Sequence, residues 1–362
     1  MTTWKTGELG EFITLKRGYD LPQQNRKNGC VSIFSSSGSS GTLNTAMVKA
    51  PGVITGRYGT IGQVFMAEED FWPLNTTLYV EDFHGNNPRF IYYFLKTLEW
   101  RKFTSASAVP GINRNTVHKE IVCLPDIVVQ NKIALLLKTI DDKIKVNEKI
   151  NDNLQQQAAA LFANFYDQAE TEVGFTEMIQ ILGGGTPKTG ESSYWNGDIP
   201  FFTPKDVGFP YTLTTEKTIT EEGLAHCNSR LYPINTVFVT ARGTVGKVGL
   251  PGVPMAMNQS CYALVGKDTH QLLVYFYTLK AVDRLKHKAS GAVFDAITTR
   301  DFEPENIMKL SDDDTKAFLD VAEPIYQAVL NNSIENLRLS ELRDSLLPKL
   351  MNGEIDVSDI RL

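Results

Sequence analysis

The chain has 362 residues, 42% hydrophobic and 22% charged, which is enough apolar content for two or more cores in an ordinary soluble protein. Its net charge of −6 would argue against a nucleic-acid binder, but the acidity is local: residues 126–170 hold 5 Lys+Arg against 7 Asp+Glu and residues 311–362 hold 5 against 11, whereas 1–125 and 171–310 are close to neutral. No apolar run approaches the roughly 18 to 20 residues that cross a bilayer, and the first residues form neither a basic nor an apolar leader, so a cytoplasmic protein without a membrane partner is expected.

Taken in chain order, residues 1–126 contain short β-rich runs such as "GVITG" and "TLYV" separated by Gly, Pro, Asn and Ser, which predicts a compact, strand-rich domain. Residues 127–168 switch period. Ile133, Ile140, Asn147, Leu154 and Leu161 fall seven apart, and Leu137, Ile144, Asn151, Ala158 and Phe165 follow four later, a heptad seam that predicts one long helix. Residues 169–310 return to short strand-like runs, "TVFVTA" and "CYALV" among them. Residues 311–350 repeat the seam with Phe318, Ile325, Asn332, Leu339 and Leu346, and with Ala322, Val329, Asn336, Arg343 and Leu350. Ser311 and the acidic residues after it suit a helix start, whereas Pro324 is expected to kink this helix or begin a new one. Residues 351–362 remain as a C-terminal tail.

The two halves repeat one another. "GRYGTIGQV" (Gly56 to Val64) matches "ARGTVGKV" (Ala241 to Val248), with Gly59 on Gly243 and Gly62 on Gly246. "LNTTLYV" matches "MNQSCYALV" with Asn75 on Asn258, "GEFITLKRG" matches "TEMIQILGG", and "SAV" at Ser107 matches "GAV" at Gly291. "VPGINRNTVHKEIVCLP" (Val109 to Pro125) and "VFDAITTRDFEPENIMKL" (Val293 to Leu310) read as the same exit from two domains, with Arg114 paired to Arg300. A helix of about 40 residues, at about 1.5 Å each, cannot bury such a seam alone. The expected fold is therefore α+β: two strand-rich domains in tandem pseudo-twofold repeat, separated by two long antiparallel coiled-coil helices. Asn147 and Asn332 lie near the middle of each seam, so the two amides are expected to meet and fix the register.

Catalytic chemistry is not expected. Cys30, Cys123, Cys227 and Cys261 form no Cys-x-x-Cys pair and read as buried, reduced thiols, and the five histidines make no ligand pattern. "NPRF" (Asn87 to Phe90) has Arg where a methylation motif needs its second Pro. "GTPKTGES" (Gly185 to Ser192) has Glu191 where a phosphate-binding loop needs Lys. No catalytic residue, metal site or cofactor is expected.

Together "GGGTPKTGESSYWNGDIPFFTPKDVG" (Gly183 to Gly208), the "RGTVGKVG" loop followed by "MNQS", the helix "QNKIALLLKTIDDKIKVNEKINDNLQQQAAALF" and the C-terminal "LRDSLLPKLMNGEI" resemble type I restriction–modification specificity (S) subunits over nearly the whole chain. The first domain departs more, offering "NGCVSIFSSSGSSG" where the second has Tyr-Trp-Asn-Gly. The resemblance implies that residues 1–126 and 169–310 are target-recognition domains. It further implies a non-catalytic subunit of a phage-defence restriction system that reads double-stranded DNA at a bipartite, asymmetric target. Two adenine-methyltransferase (modification) subunits would grip the spacer helices, and restriction (helicase-nuclease) subunits would join them. A coiled-coil adaptor, or the recognition subunit of another phage-defence methylation complex, is the alternative reading.

Residues that differ between the copies are the main DNA-contact candidates, because two half-sites need different readers on one scaffold, while Arg114 and Arg300, which end the loop in both copies, are expected to contact the DNA backbone more than the bases. In the first domain these are Arg17, Tyr19, Ser36 and Ser37 in the serine-rich loop, Arg57, Tyr58, Lys102 and Arg114. In the second they are Lys188, Tyr194, Lys205, Arg242, Lys247, Gln259, Lys286, Lys288 and Arg300, with His287 between the last two lysines. Residues shared by both copies, such as Gly59/Gly243 and Gly62/Gly246, are expected to hold loop shape.

Overall fold

The computed structural model describes residues 4–104, 110–208, 210–288 and 296–357. The Ser107/Gly291 match and Val109 and Val293, which open the two exit stretches, lie outside the described residues. The chain forms two compact units, 1–143 with 339–362, and 144–338.

In the first unit the strands Thr14–Arg17, Thr77–Asp82, Gly52–Gly56 and Val64–Ala67 lie side by side in one antiparallel sheet. Gly52–Gly56 is buried throughout, as a short apolar run between turn residues should be. A second sheet places Val31–Ser35 between Gly38–Leu43 and Phe71–Pro73, the latter pairing parallel. Trp4–Glu8 pairs with Ile121–Pro125 and closes the unit by joining its entry to its exit. The helix Pro88–Thr97 packs on the first sheet; Asn87 caps it by accepting from the backbone N–H groups of Arg89 at 2.8 Å and Phe90 at 3.0 Å, and proline at its start gives up only an N–H that would have no helical partner. The core gathers Leu15, Val53, Leu78, Phe90, Tyr93, Leu95 and Trp100 with Ile133, Leu137, Leu347 and Leu350 from the two long helices.

The second unit has the same plan. Ile179–Gly183, Cys261–Gly266, Val237–Thr240 and Val248–Pro251 follow in the same order, with Tyr211–Thr212 added at the edge. Trp195–Phe202 lies between Thr218–Ile219 and Ala256–Met257, again parallel to the latter, and Thr171–Gly174 pairs with Asn306–Lys309. Its core includes Phe162, Tyr166, Val237, Phe276, Phe302, Phe318, Ala322 and Val329.

Each unit is therefore completed by pieces of both long helices, Ile127–Gln168 and Asp312–Met351. Ser311 caps the second, its hydroxyl accepting from the backbone N–H of Asp314 at 3.1 Å. Pro324 does not break it: the helix runs unbroken through that position, held on either side by buried Phe318, Ala322, Tyr326 and Val329.

The helices run antiparallel, and the amides meet in a different register from the one expected. Asn147 and Asn332 do not pair. Asn147 donates to Asn336 Oδ1 at 2.8 Å and to Glu335 at 2.7 Å, and Asn332 donates to Asn151 Oδ1 at 2.8 Å. Asn336 donates to the Ile144 carbonyl and Asn151 to the Val329 carbonyl, each at 3.2 Å. Each seam carries two asparagines one turn apart, and this register lets all four amides be satisfied in a twofold pattern; pairing midpoint to midpoint would use only two. Asn147 is 1% exposed, so an unpaired amide there would carry a full desolvation cost. In the first unit Asp141 continues the pairing, accepting from Arg343 at 2.8 Å and from the Tyr93 hydroxyl at 2.5 Å.

The cysteines depart from expectation too. Cys30 and Cys123 are exposed, Cys227 is half-buried, and only Cys261 is fully buried, where burial pushes its thiol up to about 12.

Candidate nucleic-acid interface

Backbone hydrogen bonds fix which residues of the two copies correspond. The N–H of Leu74 donates to the Phe34 carbonyl at 2.8 Å, and that of Asn258 donates to the Phe202 carbonyl at 2.9 Å. Ile112 donates to the Arg57 carbonyl at 3.0 Å, and Ile297 to the Ala241 carbonyl at 2.9 Å. Leu74 therefore stands where Asn258 stands, and Asn75 corresponds to Gln259. Pairing Asn75 with Asn258 is off by one residue. Likewise Tyr58 corresponds to Arg242, and Ser36 and Ser37 to Pro204 and Lys205. After Ile112 and Ile297 the correspondence runs Asn113 to Thr298, which cap the short helices Arg114–His118 and Thr299–Phe302. Arg114 thus corresponds to Thr299 and not to Arg300, which lies one position further along.

The shared residues hold the loops. Gly59 and Gly62 have φ of 73° and 84°, and Gly243 and Gly246 of 82° and 73°, the left-handed region that glycine enters without penalty. A Cβ at Gly62 would lie 2.8 Å from Trp100 Cβ, and one at Gly246 would lie 2.5 Å from Lys286 Cε. The tight turn thus brings a neighbouring side chain across each glycine.

Two of the candidates belong to this scaffold. Lys102 pairs with Glu120 at 2.5 Å, and Lys288 pairs with Glu305. Glu120 and Glu305 correspond, because their carbonyls accept from Leu9 and Phe175 at the same place. Glu305 is 2% exposed and also accepts from Arg284 Nε at 3.1 Å. One ion pair is therefore built twice. Tyr19 is also packed inward, its hydroxyl 2.9 Å from that of Tyr79 and its ring edge-on to Trp72 at 6.2 Å. Burial, with the Tyr19 hydroxyl beside it, pushes the Tyr79 phenol up.

In the first unit Ser36, Ser37, Arg57 and Tyr58 gather on one loop cluster. Arg57 lies over the Tyr58 ring at 4.5 Å and donates to the Ile112 carbonyl at 3.3 Å, while Tyr58 bridges to Gly111. The Ser36–Ser37 turn sits against Gly56 and Gly59. Arg17 reaches Asp20 at 3.5 Å, and Asp20 in turn accepts from the Asn75 amide. Arg114 is exposed in the first turn of its short helix.

In the second unit Lys205, Lys217 and Arg242 line a cleft of about 350 Å³ with Thr203, Asn258 and Ser260, and Glu216 is the one acid among its lining residues. Gln259 lies between Asn258 and Ser260 and accepts from the Thr186 hydroxyl. Lys247 and Lys286 line a neighbouring cleft of about 400 Å³. Exposed Lys188 holds Trp195 through its carbonyl at 3.3 Å, and Tyr194 stacks on His226 at 5.0 Å. His287 and Arg300 are exposed. Asp20, Asn75, Thr186 and Lys217 were not among the sequence candidates; allowing one-residue gaps within the repeat places the first three.

A nearly neutral average thus hides glycine-held loops built twice on one plan, those of the second unit lined by cations. The description "Type I restriction modification DNA specificity domain" matches residues 1–156 and 171–309. The chain belongs to that family. It is 25% identical over 355 aligned positions to the HindI specificity subunit of Haemophilus influenzae, covering 74% of this chain and 77% of that one. It is 32% identical over 124 positions to the MjaIX specificity subunit of Methanocaldococcus jannaschii, covering 33% of this chain and 29% of that one. Among solved structures, the S subunit of a type I system from M. genitalium superposes with a TM-score of 0.64 at 14% identity, over 97% of this chain and 96% of that one, which establishes the shared fold. This specificity-family chain has no helix long and apolar enough to cross a membrane among the described residues, and no cluster of metal-ligating side chains among them.

Proposed function

We propose that this chain is a cytoplasmic, non-catalytic subunit that reads a bipartite, asymmetric DNA target, one half-site per unit, and docks two adenine-methyltransferase subunits and the restriction subunits of a type I system. The observation that carries the reading is one scaffold with different side chains at corresponding places. Ser37 and Lys205, Tyr58 and Arg242, and Asn75 and Gln259 occupy matching positions on loops whose glycines, sheet order and ion pair are the same. Shared geometry suits a phosphate backbone common to all DNA, and altered side chains suit base edges that differ between half-sites. The acidic character of residues 126–170 and 311–362 suits protein partners, since phosphates would be repelled there.

The test is methylation-sensitive long-read sequencing of a host carrying this chain and its modification subunit. The expected result is adenine methylation within two unlike short blocks separated by a fixed number of unspecified base pairs. An uninterrupted motif, or no new motif, contradicts the proposal.

A further inference from the structure

We propose that Asp20 with Asn75, and Thr186 with Gln259, are two settings of a single base-reading position, the first presenting acceptors and the second donors. This rests on the reading of the chain as a DNA-specificity subunit and adds which chemical edge each unit recognises.

The two pairs correspond residue for residue. Tyr19 and Gly185 donate their backbone N–H groups to Pro73 at 2.8 Å and Met257 at 3.1 Å, which sets Asp20 on Thr186 just as Leu74 on Asn258 sets Asn75 on Gln259. In both copies a side chain from the strand exit after the first sheet strand touches an amide side chain from the loop before the next sheet strand. The contact is kept while its hydrogen-bond polarity is reversed.

A carboxylate only accepts, so the Asn75 amide must turn its NH2 toward Asp20, leaving two acceptors, Asn75 Oδ1 and the second Asp20 oxygen, against one remaining amide hydrogen. Arg17 at 3.5 Å offsets the Asp20 charge. A cluster of acceptors selects the exocyclic amino group of cytosine or adenine. In the second unit the Thr186 hydroxyl donates to Gln259 Oε1, so Nε2 keeps both hydrogens to donate. Donors select the keto oxygen of guanine or thymine. Gln259 is exposed, and its neighbours Asn258 and Ser260 line the cationic cleft where a phosphate backbone would lie.

The test uses the full chain with its modification subunits and reads the methylated motif. Converting the second setting to the first, with Thr186→Asp and Gln259→Asn together, should change one position of one half-site from guanine or thymine to adenine or cytosine. The other half-site and the spacer should not change. An unchanged motif at full methylation overturns the assignment. If the double variant methylates nothing, Gln259→Ala decides. About a tenfold loss of preference at a single position of one half-site supports the assignment, and an unaltered motif or a uniform decline across all sites overturns it. A wild-type motif that is not bipartite refutes the underlying reading instead, so the two failures are distinguishable.

Discussion

His118 shows how one ring ties an exposed residue to the sheet beneath it. Its Nε2 accepts from the backbone N–H of Leu15 at 2.9 Å, which requires the neutral ring and joins the short helix bearing Arg114 to the first sheet. Burial, then Arg114 and His84 nearby, hold the imidazole below its usual value. A depressed histidine stabilises the fold fully above the unfolded value of about 6.5, and the contribution is lost as pH falls through that value toward the folded one. Urea unfolding at pH 7.5 and 5.5 should therefore show lower stability at the acid end, and His118→Gln should flatten the difference; an equally steep loss in the variant would place the effect elsewhere. At this scale the sequence was legible where residues are identical between copies. Gly59/Gly243 and Gly62/Gly246 stand out because a left-handed turn admits little else. It was illegible where partners are distant or the repeat shifts by one. Lys102 and Lys288 read as free cations because Glu120 and Glu305 come 18 and 17 residues later. At Asn75 a one-residue slip leaves asparagine facing asparagine, and the backbone hydrogen bonds that set it on Gln259 leave no trace in the sequence.

The long helices are elements whose period was plain and whose register was not. Heptads show which face is buried, but which turn of one helix meets which turn of the other depends on satisfying every buried amide at once. This gives an unusual expectation. Asn147→Leu alone leaves Asn336 Oδ1 without its donor and should cost about 1–3 kcal/mol, whereas Asn147→Leu with Asn336→Leu removes both amides and should cost less than the single change. Thermal denaturation of both single variants and the double variant measures this coupling. Simple additivity would mean that the amides do not act as a pair. The strand-rich character of each unit was legible from the alternation of short apolar runs and turn residues; the strand order, with its non-sequential neighbours and parallel pairs, was not, because pairing depends on contacts distant in the chain. The edge strand Tyr211–Thr212, two residues long, carries too little pattern to be read.

At the scale of the whole molecule, the repeat turns one chain into its own control: what two units share is scaffold, and what they vary is the candidate reader. If one chain reads both half-sites as proposed, its paired helices are expected to set the distance between them. Four residues inserted into Ile127–Gln168 would lengthen that helix by about 6 Å, close to one full turn, so the seam stays in phase. About 3.4 Å separates successive base pairs, so the spacer should grow by one or two. The most direct measurement is the methylated motif of a host carrying this insertion beside that of the original chain. The account predicts the same two half-sites with a spacer longer by one or two base pairs; an unchanged spacer, or an altered half-site, would contradict it.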